Sequence, residues 1–162
     1  MKRTIGILAV FFALTLGAQS QQDYDQAIGL RGGLFNGVTY KKALSGGNYL
    51  EAMGAVRWRG FIVTGLYEIT ENLDPETPRL NWYYGFGAHL GLWSDYYDNN
   101  PWFDEDRDDF MVLGADGIIG IEYTFEEVPI NLSADWKPVI NLFGADSFTG
   151  FDSGAVSVRY VF

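Results

Sequence analysis

The sequence contains no cysteine, which excludes a disulfide framework and a thiolate metal site. Basic residues are scarce: 11 Lys and Arg stand against 21 Asp and Glu, for a formal net charge of −10. That balance argues against non-specific nucleic-acid binding, because phosphate binding needs a basic surface. After residue 20 no stretch holds a helical apolar period for three turns, so the chain lacks the signal of an amphipathic helix. No repeat, low-complexity tract or linker divides it, and 162 residues suit one domain. Aromatic residues, at 17%, and 20 glycines are plentiful, a composition that favours sheet over helix.

The first twenty residues stand apart. Lys2 and Arg3 form a positive start, an apolar stretch runs from Ile5 to Leu16, and Ala18-Gln19-Ser20 places small residues at the −3 and −1 positions of a cleavage site. The apolar run is shorter than the roughly 20 residues a spanning helix needs. Residues 1–20 are therefore expected to be a cleaved signal peptide, leaving 21–162 as one exported domain. Loss of Lys2 and Arg3 takes the formal charge from −10 to −12.

In the remainder, apolar residues recur at period two between turn residues, which is the strand signal. Eight strands are expected, at 26–35, 38–44, 49–58, 61–70, 80–93, 111–124, 129–141 and 152–162. Asn36-Gly37, Ser45-Gly46-Gly47-Asn48, Arg59-Gly60, Asp74-Pro75 with Thr77-Pro78, and Glu126 to Pro129 supply the turns. The longest connection, Ser94 to Phe110, carries Pro101. A meander of eight strands removes its edges most simply by closing into a barrel.

The alternation sorts the side chains onto two faces. Val156, Val158, Tyr160 and Phe162 oppose Ala155, Ser157 and Arg159; Trp82, Tyr84, Phe86, Ala88, Leu90 and Leu92 oppose Tyr83, Gly85, Gly87, His89 and Gly91. Leu113, Ala115, Gly117, Ile119, Ile121 and Tyr123 oppose Gly114, Asp116, Ile118, Gly120 and Glu122. Ile130, Leu132, Ala134 and Trp136 oppose Asn131, Ser133, Asp135 and Lys137. One face is continuously apolar with aromatics towards its ends; the other is glycine-rich with isolated charges. A soluble ligand-binding barrel keeps its apolar face inside, whereas a lipid-facing wall carries an apolar band between aromatic girdles. The expected fold is an all-β, closed, antiparallel up-and-down barrel of eight transmembrane strands.

The inward set then holds Arg31, Lys41, Arg57, Lys137 and Arg159 against Glu51, Glu68, Asp116, Glu122 and Asp135. An eight-stranded barrel has room inside for little more than side chains, and buried charges require partners. In the first hairpin a three-residue turn with a bulge at Gly37 keeps Thr39 and Lys41 inside. A tight Arg59-Gly60 turn sets Glu51 opposite Glu68, which then need an inward arginine, Arg159 or Arg31, or a shared proton.

The ending Val156-Ser157-Val158-Arg159-Tyr160-Val161-Phe162 resembles the C-terminal signal of outer-membrane barrels, which the barrel-assembly machinery recognises. Ile28 to Gly33, Trp82 to Gly85, Asp116 to Tyr123 and Leu132 to Pro138 are similar to the small outer-membrane-protein β-barrel family of Gram-negative bacteria, whose fold is of the OmpA/OmpX type. That resemblance implies a cell outer-membrane location, contact with lipid and lipopolysaccharide, and periplasmic termini. The connections near 36, 59, 94–110 and 142–151 then face outward. Most members lack an assigned activity.

Little chemistry is legible. Asp95 to Asp109 holds seven acids and one base among Tyr96, Tyr97, Trp102 and Phe103, but the run lacks the glycine and distal glutamate of an EF-hand loop. It is expected to be a solvated external loop, with weak divalent-ion binding or a partner contact as alternatives. The single histidine, His89, shares the inward side with Ser133, Ser157, Asp116 and Asp135, yet no Gly-x-Ser-x-Gly elbow accompanies it. No catalytic set, cofactor or metal site is expected. The leading expectation is a non-enzymatic barrel with a structural or surface-interaction role through the loop at 94–110. A narrow, porin-like channel and a lipid- or peptide-modifying enzyme using His89 remain open.

Overall fold

The computed structural model describes residues 23–57, 60–93, 110–144, 149–151 and 154–162. The expected signal peptide at 1–20 and the acidic stretch at 95–109 lie outside these residues, as does the side chain of Arg57. The described elements are all strands: β1 (Gln26–Gly32), β2 (Asn36–Ala43), β3 (Asn48–Arg57), β4 (Gly60–Asn72), β5 (Leu80–Trp93), β6 (Phe110–Thr124), β7 (Ile130–Trp136), β8 (Pro138–Phe143), β9 (Thr149–Phe151) and β10 (Ala155–Val161). All the pairings are antiparallel, and that of β1 with β10 joins the two ends of the chain and closes the sheet.

Ten segments make eight barrel strands. β6 pairs β7 along one half and β8 along the other, so β7 and β8 are one strand interrupted at Lys137-Pro138. Proline has no N–H for the ladder, which is the reason for a break there. β8 pairs β9 as β7 pairs β10, so β9 and β10 together form the eighth strand.

The register fixes the barrel's geometry. From Asn81 the paired residues run Glu122, Ser133, Ser157, Arg31, Gly37, Ala55, Ile62 and back to β5 at Gly91. One circuit therefore returns ten residues further along the strand, a shear of ten for eight strands. With a rise of about 3.3 Å per residue and about 4.8 Å between strands, the strands tilt by about 40° and the wall has a radius of about 8 Å. Such a cylinder is filled by side chains.

The turns follow their sequence signals with two differences. Gly46 and Gly47 adopt φ of 76° and 77°, a conformation that penalises any Cβ, and they let β2 reverse into β3. Asp74 caps its own turn, accepting from the Glu76 amide at 3.0 Å and the Thr77 hydroxyl at 2.8 Å. In the first hairpin the last pair is Arg31 with Gly37, so residues 32–36 form a five-residue connection, not a three-residue turn with a bulge at Gly37. The faces come out as expected, because either odd-length loop gives the same parity: Thr39 and Lys41 point inward, Val38 and Tyr40 outward. In the next hairpin Arg57 pairs Gly60, so Gly60 belongs to the ladder and not to an Arg59-Gly60 turn. Glu51 then sits opposite Leu66 and Glu68 opposite Tyr49, so the two glutamates are diagonal neighbours on the inner face.

Candidate functional site: an ionic lumen inside an apolar wall

Alternation along each strand sends one set of side chains into the cylinder and the other set out. Lys41, Glu51, Glu68, Glu122 and Arg159 have 2% or less of their surface exposed, while Leu30 and Phe86 on the outer wall have 69% and 66% exposed. This inverts the usual partition, in which charges face water and apolar side chains fill the interior.

On the outside, Ile28, Val38, Leu50, Val63, Leu90, Ile119, Leu132 and Val158 form a belt around all eight strands. Along β5 the belt runs from Trp82 to Leu92, about 34 Å along the strand and about 26 Å along the barrel axis at the tilt given above. Aromatics gather at the terminal end, where Gln26 meets Phe162. Trp82 and Tyr84 stack at 5.0 Å, Tyr123 meets Phe125 edge-on at 5.0 Å, and Tyr160 stacks on Phe162 at 6.1 Å. Tyr40 and Tyr67 continue this ring on β2 and β4.

Inside, the ions are matched pair by pair. Lys41 Nζ lies 2.9 Å from Glu68 Oε2 and 3.0 Å from Glu122 Oε2, and is covered by the faces of Tyr49 and Tyr83 at 4.8 and 4.4 Å. Arg159 reaches Glu51 Oε1 at 2.5 Å and donates to the Ser133 hydroxyl at 2.7 Å; the Thr39 hydroxyl also donates to Glu51. Arg31 grips Asp135 with two parallel bonds of 2.6 Å, and the Tyr83 hydroxyl donates to the same carboxylate at 3.0 Å. Bidentate, charge-assisted bonds of this kind are the strong ones. Of the two arginines expected to bridge the glutamates, Arg159 takes Glu51, whereas Arg31 takes Asp135 and Lys41 serves Glu68. Removing one partner of such a buried pair typically costs about 3–5 kcal/mol, because the remaining charge is stranded in a dry interior.

His89 joins this network. Its Nδ1 lies 2.7 Å from Asp116 Oδ2 and its Nε2 3.1 Å from Asn141 Oδ1, while Lys137 Nζ lies 2.7 Å from the other oxygen of Asp116. Ser133 and Ser157 face the same lumen but elsewhere. Ser133 neighbours Glu122, eight residues along β6 from Gly114, the neighbour of His89, a separation of roughly 27 Å along the strand. His89 and these serines are not brought together. Among the described residues no group of three or more acids and histidines is arranged to hold a metal ion.

Three apolar clusters fill what the ions leave. Phe35, Ile62, Val112 and Val139 lie at the loop end; Met53, Leu66, Tyr83 and Ile118 in the middle; Tyr24, Ala27 and Tyr49 at the terminal end. The space above two inward glycines is likewise filled from across the lumen. A Cβ on Gly114 would overlap the His89 ring, and one on Gly120 would lie 2.7 Å from the Tyr83 ring. These glycines make room for the large side chains across from them. Between Arg31, Thr64, His89 and Lys137 and the loop-end cluster lies a cavity of about 20 Å³, room for about one water molecule.

The fold and its side-chain partition define a class: a closed, eight-stranded antiparallel barrel, apolar outside and ionic inside. The chain matches no protein-family model, no curated protein and no solved structure.

Proposed function

We propose that this protein is a non-enzymatic, integral barrel of the bacterial outer membrane, exported by residues 1–20. Its role would be structural or in surface interaction, through the acidic connection at 94–110. The observation that carries this reading is the outer wall. A continuous apolar belt about 26 Å tall, rimmed at its terminal end by paired aromatics, suits the apolar band of about 25 Å found on barrels of this kind. In water the same belt would be an apolar patch far larger than soluble monomers carry. Lipid and lipopolysaccharide are then the wall's partners, and β10, with Tyr160 and Phe162, the segment offered to the barrel-assembly machinery.

The filled lumen supports a sealed barrel over a channel. Asp116 divided between His89 and Lys137 supports a structural role for the histidine. Exchange of His89 for alanine should therefore lower stability and abolish no lipid- or peptide-modifying reaction. Cell fractionation with gel migration before and after boiling tests the main reading. It predicts a membrane-fraction protein whose mobility changes on boiling; a soluble protein with unchanged mobility would overturn it.

A further inference from the structure

We infer that residues 23–25 form a detachable stopper: Tyr24 seals the terminal mouth of the lumen, and its withdrawal opens the lumen onto Lys41 and Glu122 while every barrel strand stays paired. Closure of the cylinder begins one residue later. Gln26 exchanges two 2.9 Å backbone bonds with Phe162 and pairs Lys42, so the seams on both sides of β1 are complete without residues 23–25. The segment ahead of them turns inward. Continued alternation from Ala27 and Gly29 would point Asp25 into the barrel, yet Asp25 is exposed and Tyr24 is buried.

The seat of Tyr24 is made of few contacts. Its ring lies 5.1 Å from that of Tyr49, its hydroxyl donates to Glu122 Oε2 at 3.1 Å, and its carbonyl accepts from the Tyr49 hydroxyl at 3.5 Å. Beside it, Asp23 accepts from Asn81 at 2.6 Å, and the Asp25 carbonyl accepts from the Ala43 amide at 2.8 Å. Apart from that last bond, no strand ladder among the described residues holds the segment. Directly behind the tyrosine, Lys41 shares the same Glu122 oxygen, so lifting the ring brings water to an ion cluster that is otherwise dry. Opening there exposes Lys41 with Glu68 and Glu122, none of which solvent reaches while the tyrosine is seated.

The absence of native cysteine permits a direct test. Ala27, fully buried in the Tyr24 cluster, is replaced by cysteine in the full chain, purified in detergent, and treated with a water-soluble methanethiosulfonate. With the stopper in place, modification should be slow, yet about tenfold faster than that of a Met53→Cys thiol in the middle cluster, because the stopper opens alone. Adding Tyr24→Ala should accelerate Ala27→Cys modification at least about tenfold, with gel mobility still heat-modifiable. Tyr24→Phe, which keeps the ring, should stay protected. Equal modification rates for the Ala27→Cys and Met53→Cys thiols, each in the otherwise native chain, would overturn the proposal even if Tyr24→Ala failed to fold. So would protection unchanged by Tyr24→Ala.

Discussion

The wall and the lumen of this barrel are built from alternate residues of the same strands, yet they obey opposite rules. On β10, Val156, Val158 and Tyr160 stand in the outer belt, while Ala155, Ser157 and Arg159 are buried. On β5, Phe86 and Leu90 face outward beside inward Gly87 and His89. Outside, any side chain suffices that is apolar and large enough to cover the backbone. Inside, Lys41, Arg31, Arg159 and Lys137 each have a carboxylate within 3.0 Å. The contrast makes the lumen intolerant of deletion and the wall intolerant of charge.

The largest expected effect comes from breaking the lumen. Replacing Lys41 by methionine strands Glu68 and Glu122 and should cost about 3–5 kcal/mol in denaturant unfolding from lipid vesicles. Adding Glu68→Gln and Glu122→Gln should restore part of the loss, which a mere packing defect would not allow. Next is a charge on the wall. Phe86→Arg, near mid-belt, should cost about 2–4 kcal/mol in vesicles, whereas Trp82→Arg, in the aromatic ring, should cost about 1 kcal/mol or less.

Glycine substitutions sharpen the same comparison at smaller scale. Gly114→Ala forces a methyl into the His89 ring and the Ile140 carbonyl, and should cost about 1–3 kcal/mol by the same unfolding assay. On the outer wall a Cβ at Gly65 meets nothing within 4 Å, so Gly65→Ala should be neutral or stabilise by up to about 1 kcal/mol.

The smallest effect is a pH dependence at the terminal mouth. Burial, the largest cause, together with Glu122 raises the Asp23 carboxyl above its ordinary value, against the opposing pull of Asn81 and Arg79. A carboxyl whose proton is held more tightly when seated favours seating in its protonated form. The seat therefore tightens as pH falls through that raised value and gains nothing further below the ordinary carboxylate range. Asp23→Asn should slow Ala27→Cys modification modestly near pH 7, by less than about 1 kcal/mol in opening free energy. The ratio of the two rates should approach one on acidification, and this ratio cancels the thiol's own titration.

Much of the barrel was legible because period two carries both strand and face. The eight strands, the inward positions of Lys41, Glu122, Asp135 and Arg159, and the outward aromatics of β5 and β10 follow from alternation alone. Pro138, inside the single strand expected at 129–141, divides it into β7 and β8. Pairing of the ions was not legible, since partners such as Arg31 and Asp135 are 104 residues apart and meet only through shear and tilt. The Glu51–Glu68 geometry depended on whether Gly60 lies in the turn or in the ladder, and both arrangements keep the same parity. Tyr24 was missed because it precedes the expected first strand, where alternation has no authority, and Phe35, expected to close that strand at 26–35, lies instead in the hairpin connection; each turns inward to fill one end of the lumen.

The central claim is that the apolar wall meets hydrocarbon. Nitroxide labels on single cysteines substituted for Phe86, Ile121 and Val158, in protein reconstituted into vesicles, test it by their collisions with oxygen and with a water-soluble nickel chelate. High oxygen and low nickel accessibility at all three positions is the predicted result. High nickel accessibility at all three would place the belt in water and contradict the account.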